Sequence, residues 1–282
     1  LSDFCGSRKF ADVSNHDSAL DAAKLKGEAP ALASGVPFAI EVKAATVSTN
    51  DDVRILAAGR APEGTVVCAE EQAAGRGRRG NVWMAPPRRC LLLSLLLRPD
   101  DEPPLWPRVT HLAALAVCRA IEPLLAPGIA QVKWPNDVMV RDRKVSGILL
   151  ESSASSHGGF LVLGIGINVN LEQSDFPAEL QSTASSLLME TGQTIDRTDL
   201  VLKLLREFAA LYPLGVSSFD EPLAEVHRRS HLVGRHVTLS ASGKLIAGLV
   251  MGFGPSGELR LKPDDAPEYS VSSGELVRVR PN

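Results

Sequence analysis

The sequence lacks a paired-cysteine framework, a long apolar run and any marked excess of charge. Its four cysteines, Cys5, Cys68, Cys90 and Cys118, fall in no C-x-x-C pair, which points to a reducing compartment and away from a structural metal. Cys68 and Cys118 stand among apolar neighbours and read as buried thiols. No apolar run approaches the roughly 20 residues of a membrane span, and no basic stretch leads into an apolar one at the start. The expectation is a cytoplasmic protein without membrane contact. Aromatics are 5% of the chain and the formal net charge is -3, so nothing draws the whole molecule to nucleic acid and any basic cluster is a local device. The chain opens on Leu1 rather than Met, which suggests a processed or truncated form.

What is present begins with size: 282 residues, 44% hydrophobic and 22% charged, enough for one large domain and a small one. The most distinctive segment is Gly75-Arg76-Gly77-Arg78-Arg79-Gly80, followed by Trp83. Glycines here permit positive φ and close backbone approach, so N–H groups and guanidinium forks could wrap a polyanion. A solvated basic turn or a disordered Arg-Gly segment of the RNA-binding sort are rival readings. Against them, residues 65–69 and 91–97 read as buried strands, which hangs the loop between two core strands.

Residues 1–35 are polar and weakly patterned and are expected to be an extension, partly ordered at best. A strand is predicted over 36–42. Ser48, Thr49 and Asn50 then open a helix with Asp51 and Asp52 as first-turn acids. Pro103, Pro104 and Pro107 precede an amphipathic helix over 108–125, whose pattern is that of core packing. Short strands are expected at 131–134 and 137–140, then at 145–151 and 160–167, with helices near 196–211 and 219–230. From Leu232 onward five short strands punctuated by glycine suggest a small SH3-like barrel. The expected class is α+β, with a central mixed, largely antiparallel sheet and flanking helices. Its domains are 36–231 and 232–282.

Three further segments could carry chemistry. Lys133-Trp134-Pro135-Asn136-Asp137 combines a cation, an aromatic plane, a rigid turn and two polar groups, although a strand end with a type I turn has the same composition. Lys144 precedes Gly147; a solvated edge lysine is the bland alternative, yet a glycine inside a strand marks a close approach. Gly164-Ile165-Gly166-Ile167-Asn168 clears one face of a strand, with a sheet bend as its rival. It is no dinucleotide fingerprint, since neither a third glycine nor a helix follows.

The order of these segments resembles the biotin protein ligases, from about residue 38 to the end, including Ala184-Ser185-Ser186-Leu187 and the Asp196-Arg197 helix start. The resemblance implies a class II synthetase-like catalytic domain that joins biotin and ATP into biotinyl-5'-AMP and passes biotin to a lysine of a carboxylase carrier domain. Carried onto this sequence, Ser48, Thr49, Asn50 and Gln72 would bind the biotin ring, with Gly75 and Gly147 closing around it. A buried urea needs both donors and acceptors, which hydroxyls and an amide supply. Arg76, Arg78 and Arg79 would meet carboxylate and phosphates. Lys144, with Arg76 and Arg78, would be catalytic, countering charge as the carboxylate attacks phosphorus. Trp83 and Asn168 would flank adenine, with Lys133 and Asp137 at the wall or the carrier surface.

Magnesium would accompany ATP, and no protein-only metal site is expected. Three positions depart from the family pattern: Ala73 for a second glutamine or threonine, Ala85 before Pro86 for serine, and Arg88-Arg89-Cys90 for small residues. A winged-helix domain does not fit in 35 residues, so a ligase without DNA binding is expected; the sequence leaves a homodimer open. A lipoate ligase or octanoyltransferase is the enzyme rival, and a basic-loop nucleic-acid binder the non-enzyme one.

Overall fold

The computed structural model describes residues 18–32, 37–153, 159–241 and 243–279. Its main sheet has seven strands: β1 (Ala39–Lys43), β2 (Thr65–Ala69), β3 (Cys90–Leu97), β4 (Ala130–Lys133), β5 (Asp137–Val140), β6 (Arg143–Ser153) and β7 (Phe160–Asn168). They lie in the order β1-β2-β3-β7-β6-β5-β4. Only the first pair is parallel, so the sheet is mixed and largely antiparallel, as expected.

The central strands explain the layering. Successive side chains point to opposite faces, and Leu91, Leu93, Leu95 and Leu97 of β3 join Leu161, Leu163, Ile165 and Ile167 of β7 in the largest core cluster. Helix α3 (Arg108–Ile121) and helix α5 (Arg197–Ser217) supply apolar side chains to that cluster. Each leucine withdrawn from water here contributes about 1.5–3 kcal/mol. The opposite face is covered only in part, where Val53 and Ala57 of helix α2 (Thr49–Ala58) meet Val67, Leu96 and Val162.

Several boundaries differ from expectation. β1 starts at Ala39, and Val36 lies outside the described residues. α3 stops at Ile121 because Pro123 follows, and a 3-10 turn over Glu122–Leu124 takes its place. α5 continues through Pro213 to Ser217; helices α4 (Leu187–Thr191) and α6 (Asp220–Arg228) complete the set, apart from one near the start. That one, α1 (Ala22–Glu28), falls in the expected extension; Asp21 caps it by accepting from the Lys24 N–H, and its Leu25 is buried. Arg197 joins this segment to the body, donating to the Ser18 carbonyl (2.7 Å), the Glu70 carboxylate (2.7 Å) and the Cys90 carbonyl (3.0 Å). Residues 1–17 and 33–35 of the extension lie outside the described residues.

The five expected C-terminal strands are β8 (His236–Ala241), β9 (Lys244–Phe253), β10 (Leu259–Lys262), β11 (Tyr269–Val271) and β12 (Glu275–Val279). They pair antiparallel in the order β11-β10-β9-β8-β12. Among the described residues no helix is long and apolar enough to cross a membrane.

Candidate functional site

Apart from Gly75 and Asn168, every site residue singled out from the sequence lines one cavity of about 260 Å³, a volume suited to a small molecule. The cavity lies where the start of α2, the loop between β2 and β3, the β4–β5 turn and the glycine stretches of β6 and β7 meet. Gly274, Glu275 and Leu276 of the C-terminal sheet close one side, a contribution that sequence reasoning left open.

One end is polar and neutral. Ser48 is the N-cap residue of α2 but makes no side-chain cap bond, so its hydroxyl is not committed to the helix. Gln72 is held through its carbonyl, which accepts from the Thr49 N–H at 2.8 Å and lies 3.1 Å from Thr49 Oγ1. Beneath them the fully buried Ser94 hydroxyl touches Thr49 Oγ1 at 2.7 Å and Asn50 Oδ1 at 2.6 Å. Asn50 Nδ2 donates to Glu151 at 2.6 Å.

The other end is cationic. The arginine loop is a small hairpin: the Trp83 N–H donates to the Gly75 carbonyl and the Gly77 N–H to the Asn81 carbonyl. Its tip turns at Arg79 and Gly80, both at positive φ. Gly75 is required by that pairing, since a Cβ there would stand 2.5 Å from the Trp83 carbonyl. Arg76 forms a two-pronged pair with Asp51 at 2.6 and 2.7 Å. This bond holds the Asp51 carboxyl below its usual range and raises Arg76. Arg76 therefore ties the loop to α2. Arg79 pairs with Glu275 of β12 at 3.0 Å. Among the described residues the Arg78 guanidinium has only a long contact to Asn136 Oδ1, at 3.5 Å, and burial, followed by Arg79, holds it below the usual range. A cation desolvated this way favours an incoming anion.

Lys144 projects between these ends. Its ammonium is 2.6 Å from Asp137 Oδ1 and 5.6 Å from the centre of the Trp83 ring. The Thr183–Ser185 stretch fixes its backbone: the Lys144 N–H donates to the Thr183 carbonyl and its carbonyl accepts from the Ser185 N–H. In the β4–β5 turn, which passes through a cis Trp134–Pro135 bond, Asn136 bonds to Ile148 through both its side chain and its backbone. That places Asp137 opposite Gly147. Lys133 and Trp134 line the same wall, and the Trp134 ring is otherwise buried in the main core.

The glycines have specific occupants. A Cβ at Gly147 or Gly166, which are paired across β6 and β7, would stand 2.8 or 2.6 Å from the Trp83 indole, and one at Gly164 would stand 2.3 Å from Asn50 Oδ1. The cleared strand face thus admits Trp83 and Asn50. Asn168, also on β7, does not line the cavity; its amide donates to the Ser185 carbonyl at 2.9 Å.

Sequence reasoning missed Ser94 and Glu151 and took Asp51 for a first-turn acid. A single serine within the leucine run 91–97 was the available signal for the first. The thiols of Cys68, Cys90 and Cys118 are pushed up to about 12 by burial, which removes them as nucleophiles; Cys5 lies outside the described residues. Among the described residues no three of His, Cys, Asp and Glu gather as a metal site.

The model of the biotin/lipoate A/B protein ligase family matches residues 45–168. A biotin–[acetyl-CoA-carboxylase] ligase of Mycobacterium tuberculosis is 35% identical over 246 residues, covering 86% of this chain and 89% of the relative. The bifunctional ligase/repressor BirA of Bacillus spizizenii is 42% identical over 167 residues, 58% of this chain and 51% of its own length, so the chain spans about half of that relative. Among solved structures, a biotin protein ligase from Aquifex aeolicus in complex with biotin and ATP superposes with a TM-score of 0.74 at 28% identity, over 86% of this chain and 99% of the other.

Proposed function

The chain belongs to the biotin protein ligase family, and from that premise we propose that it forms biotinyl-5'-AMP from biotin and ATP and then biotinylates a lysine of a carboxylase carrier domain. The observation that supports this reading is a single cavity with a neutral hydrogen-bonding end (Ser48, Thr49, Gln72) and a cationic end (Arg78, Arg79, Lys144). Biotin has the matching polarity, a ureido ring at one end and a carboxylate at the other.

In the first step a biotin carboxylate oxygen attacks the α-phosphorus of ATP, the bond to the β-phosphate bridge breaks, and pyrophosphate leaves. Lys144 and Arg78 offset the charge gathered on the phosphate oxygens, and holding both anions in one cavity supplies the alignment. Asp137 keeps the Lys144 ammonium in place until phosphate competes for it. Trp83 lends its ring to the adenine; Asn168, whose amide is spent on the Ser185 carbonyl outside the cavity lining, takes no direct part. Magnesium is read as arriving on the phosphates of ATP. In the second step the carrier amine attacks the acyl carbon, AMP leaves with the bonding electrons, and the amine proton passes to water. The arginine hairpin, tethered through Arg76 and Arg79, covers the adenylate against hydrolysis. We read residues 36–231 as the catalytic unit and 232–282 as an SH3-like barrel whose β12 completes the wall.

The deciding assay is pyrophosphate exchange with MgATP and biotin, lipoate or octanoate in turn, followed by transfer to an apo carrier domain. Exchange with biotin alone is expected. Exchange with lipoate and none with biotin would overturn the assignment. Lys144→Ala is expected to lower adenylate formation by roughly 10²–10³, the usual cost of one charge-stabilising donor; a wild-type rate in that variant removes Lys144 from the mechanism.

A further inference from the structure

Resting on the biotin reading above, we propose that Glu151 and Ser94 form a polarity relay that makes Thr49 an acceptor and thereby sets the cavity's preference for a urea. Neither residue is assigned a part in the chemistry by the motifs or by the lining of the cavity.

The argument is proton bookkeeping. Glu151 accepts from Arg54 at 2.8 Å and lies 3.6 Å from Arg76, so it is held as a carboxylate that can only accept. Asn50 stands 2.6 Å from it and must present Nδ2, because the flipped amide would set oxygen against oxygen. Asn50 Oδ1 therefore faces Ser94, and Gly164, opposite Ser94 in the register of β3 and β7, leaves the room for it. Ser94 has one proton, and Oδ1 cannot donate, so the proton lies toward Asn50.

The remaining contact of Ser94 is Thr49 Oγ1 at 2.7 Å. An oxygen pair that close needs a proton between its atoms, and only Thr49 is left to supply it. The longer 3.1 Å approach of Thr49 Oγ1 to Gln72 loses that competition, and Gln72 Oε1 is already served by the Thr49 N–H. Among the described residues Thr49 is left with unused lone pairs and Gln72 with an unused Nε2. A pocket edge that pairs an acceptor with an amide donor fits the N–H and C=O of a cyclic urea, whereas a dithiolane or an alkyl chain satisfies neither. Buried polar groups left unpaired by the wrong ligand are what make such discrimination steep. Ser94 and Glu151 are thus positioning residues, acting through Asn50 and Thr49.

The test compares two ligands on the full chain: biotin, and the thiolane valerate that lacks the fused urea. Binding is measured by calorimetry, with KM and kcat from pyrophosphate exchange and melting temperature alongside. S94A and E151Q are each expected to weaken biotin about tenfold, the scale of one hydrogen bond lost from a buried network. The loss should fall on KM rather than kcat and leave the thiolane valerate unchanged. If S94A does not fold, E151Q, at the half-exposed end of the relay, decides alone. Unchanged biotin affinity, or equal weakening of both ligands, overturns the relay while wild-type biotin binding leaves the ligase reading intact. A wild type that binds no biotin overturns both.

Discussion

The two faces of β3 and β7 are built from the same alternating strands and do opposite things. On one face Leu91, Leu93, Leu95 and Leu97 stand beside Leu161, Leu163, Ile165 and Ile167, and the sheet is sealed by α3 and α5. On the other, one residue out of phase, the side chains shrink to Ser94, Gly164 and Gly166, and the space is taken by Trp83 and Asn50 from outside the two strands. The first face is stabilised by what its strands carry. The second works, around the cavity, through what they omit: between Leu92 and Val162 the glycines leave room for a loop and a helix start to project Trp83 and Asn50 over the strands.

That contrast can be broken from either side. The largest effect is expected on the packed face: Leu163→Ala should lose roughly 3–5 kcal/mol of stability, as buried leucine truncations do. Below its melting point, the KM for biotin should be unaltered. A tenfold change in KM in a folded Leu163→Ala protein would mean the faces are not independent. Next comes acid titration. His231 is held down to about 4 by burial first and by Arg235 second, so the unfolded chain binds its proton at higher pH than the folded one. Stability should therefore fall as pH drops from about 6.5 toward 4, by on the order of 3 kcal/mol, and level off below. Denaturant midpoints for wild type and His231→Gln across that window check it: the variant should lack this slope, and parallel curves would assign it elsewhere.

On the site face, Gly166→Ala should push Trp83 off its floor and slow adenylate formation by roughly 30–100-fold, with little change in melting temperature. A destabilised but fully active variant would reverse the assignment of that face. The smallest effect is expected at the rim. Arg79 and Glu275 form an exposed pair, so Glu275→Gln should cost under about 1 kcal/mol. It should speed release of biotinyl-AMP by a few-fold at low salt and not at high salt; an equal effect at both would indicate packing instead of charge.

Much of this architecture could be read before the structure, because it rests on short-range pattern. The continuous apolar runs 91–97 and 160–167 marked the central strands, glycine spacing marked the five C-terminal ones, and Asp196 was recognisable as a cap, as its bonds to the Thr198 and Asp199 N–H groups confirm. The residues that escaped notice are those whose partners lie far along the chain. Asp51 looked like an ordinary first-turn acid because Arg76 is 25 positions away, and Glu151 like a strand end because Asn50 is 101 positions away. Gly147 and Gly166 were legible as cleared positions, but the occupant is known only once β6 and β7 are set in register. Ser94 is the clearest case: a lone serine in a run of leucines is conspicuous, but its meaning appears only opposite Gly164.

One consequence concerns observation itself. The indole of Trp83 lies against the Gly147–Gly166 floor, near the Lys144 ammonium, and its buried Nε1–H has no acceptor among the described residues. Such a donor leaves the empty arrangement roughly 1–3 kcal/mol less stable than a satisfied one, so a ligand that offers an acceptor or moves the ring changes the surroundings of this chromophore. Of the other two tryptophans, both buried, Trp106 does not line the cavity, and Trp134 meets its wall beside Pro135 rather than the glycine floor. The molecule therefore carries its own optical gauge. Its intrinsic emission should follow occupancy of the site without any added label.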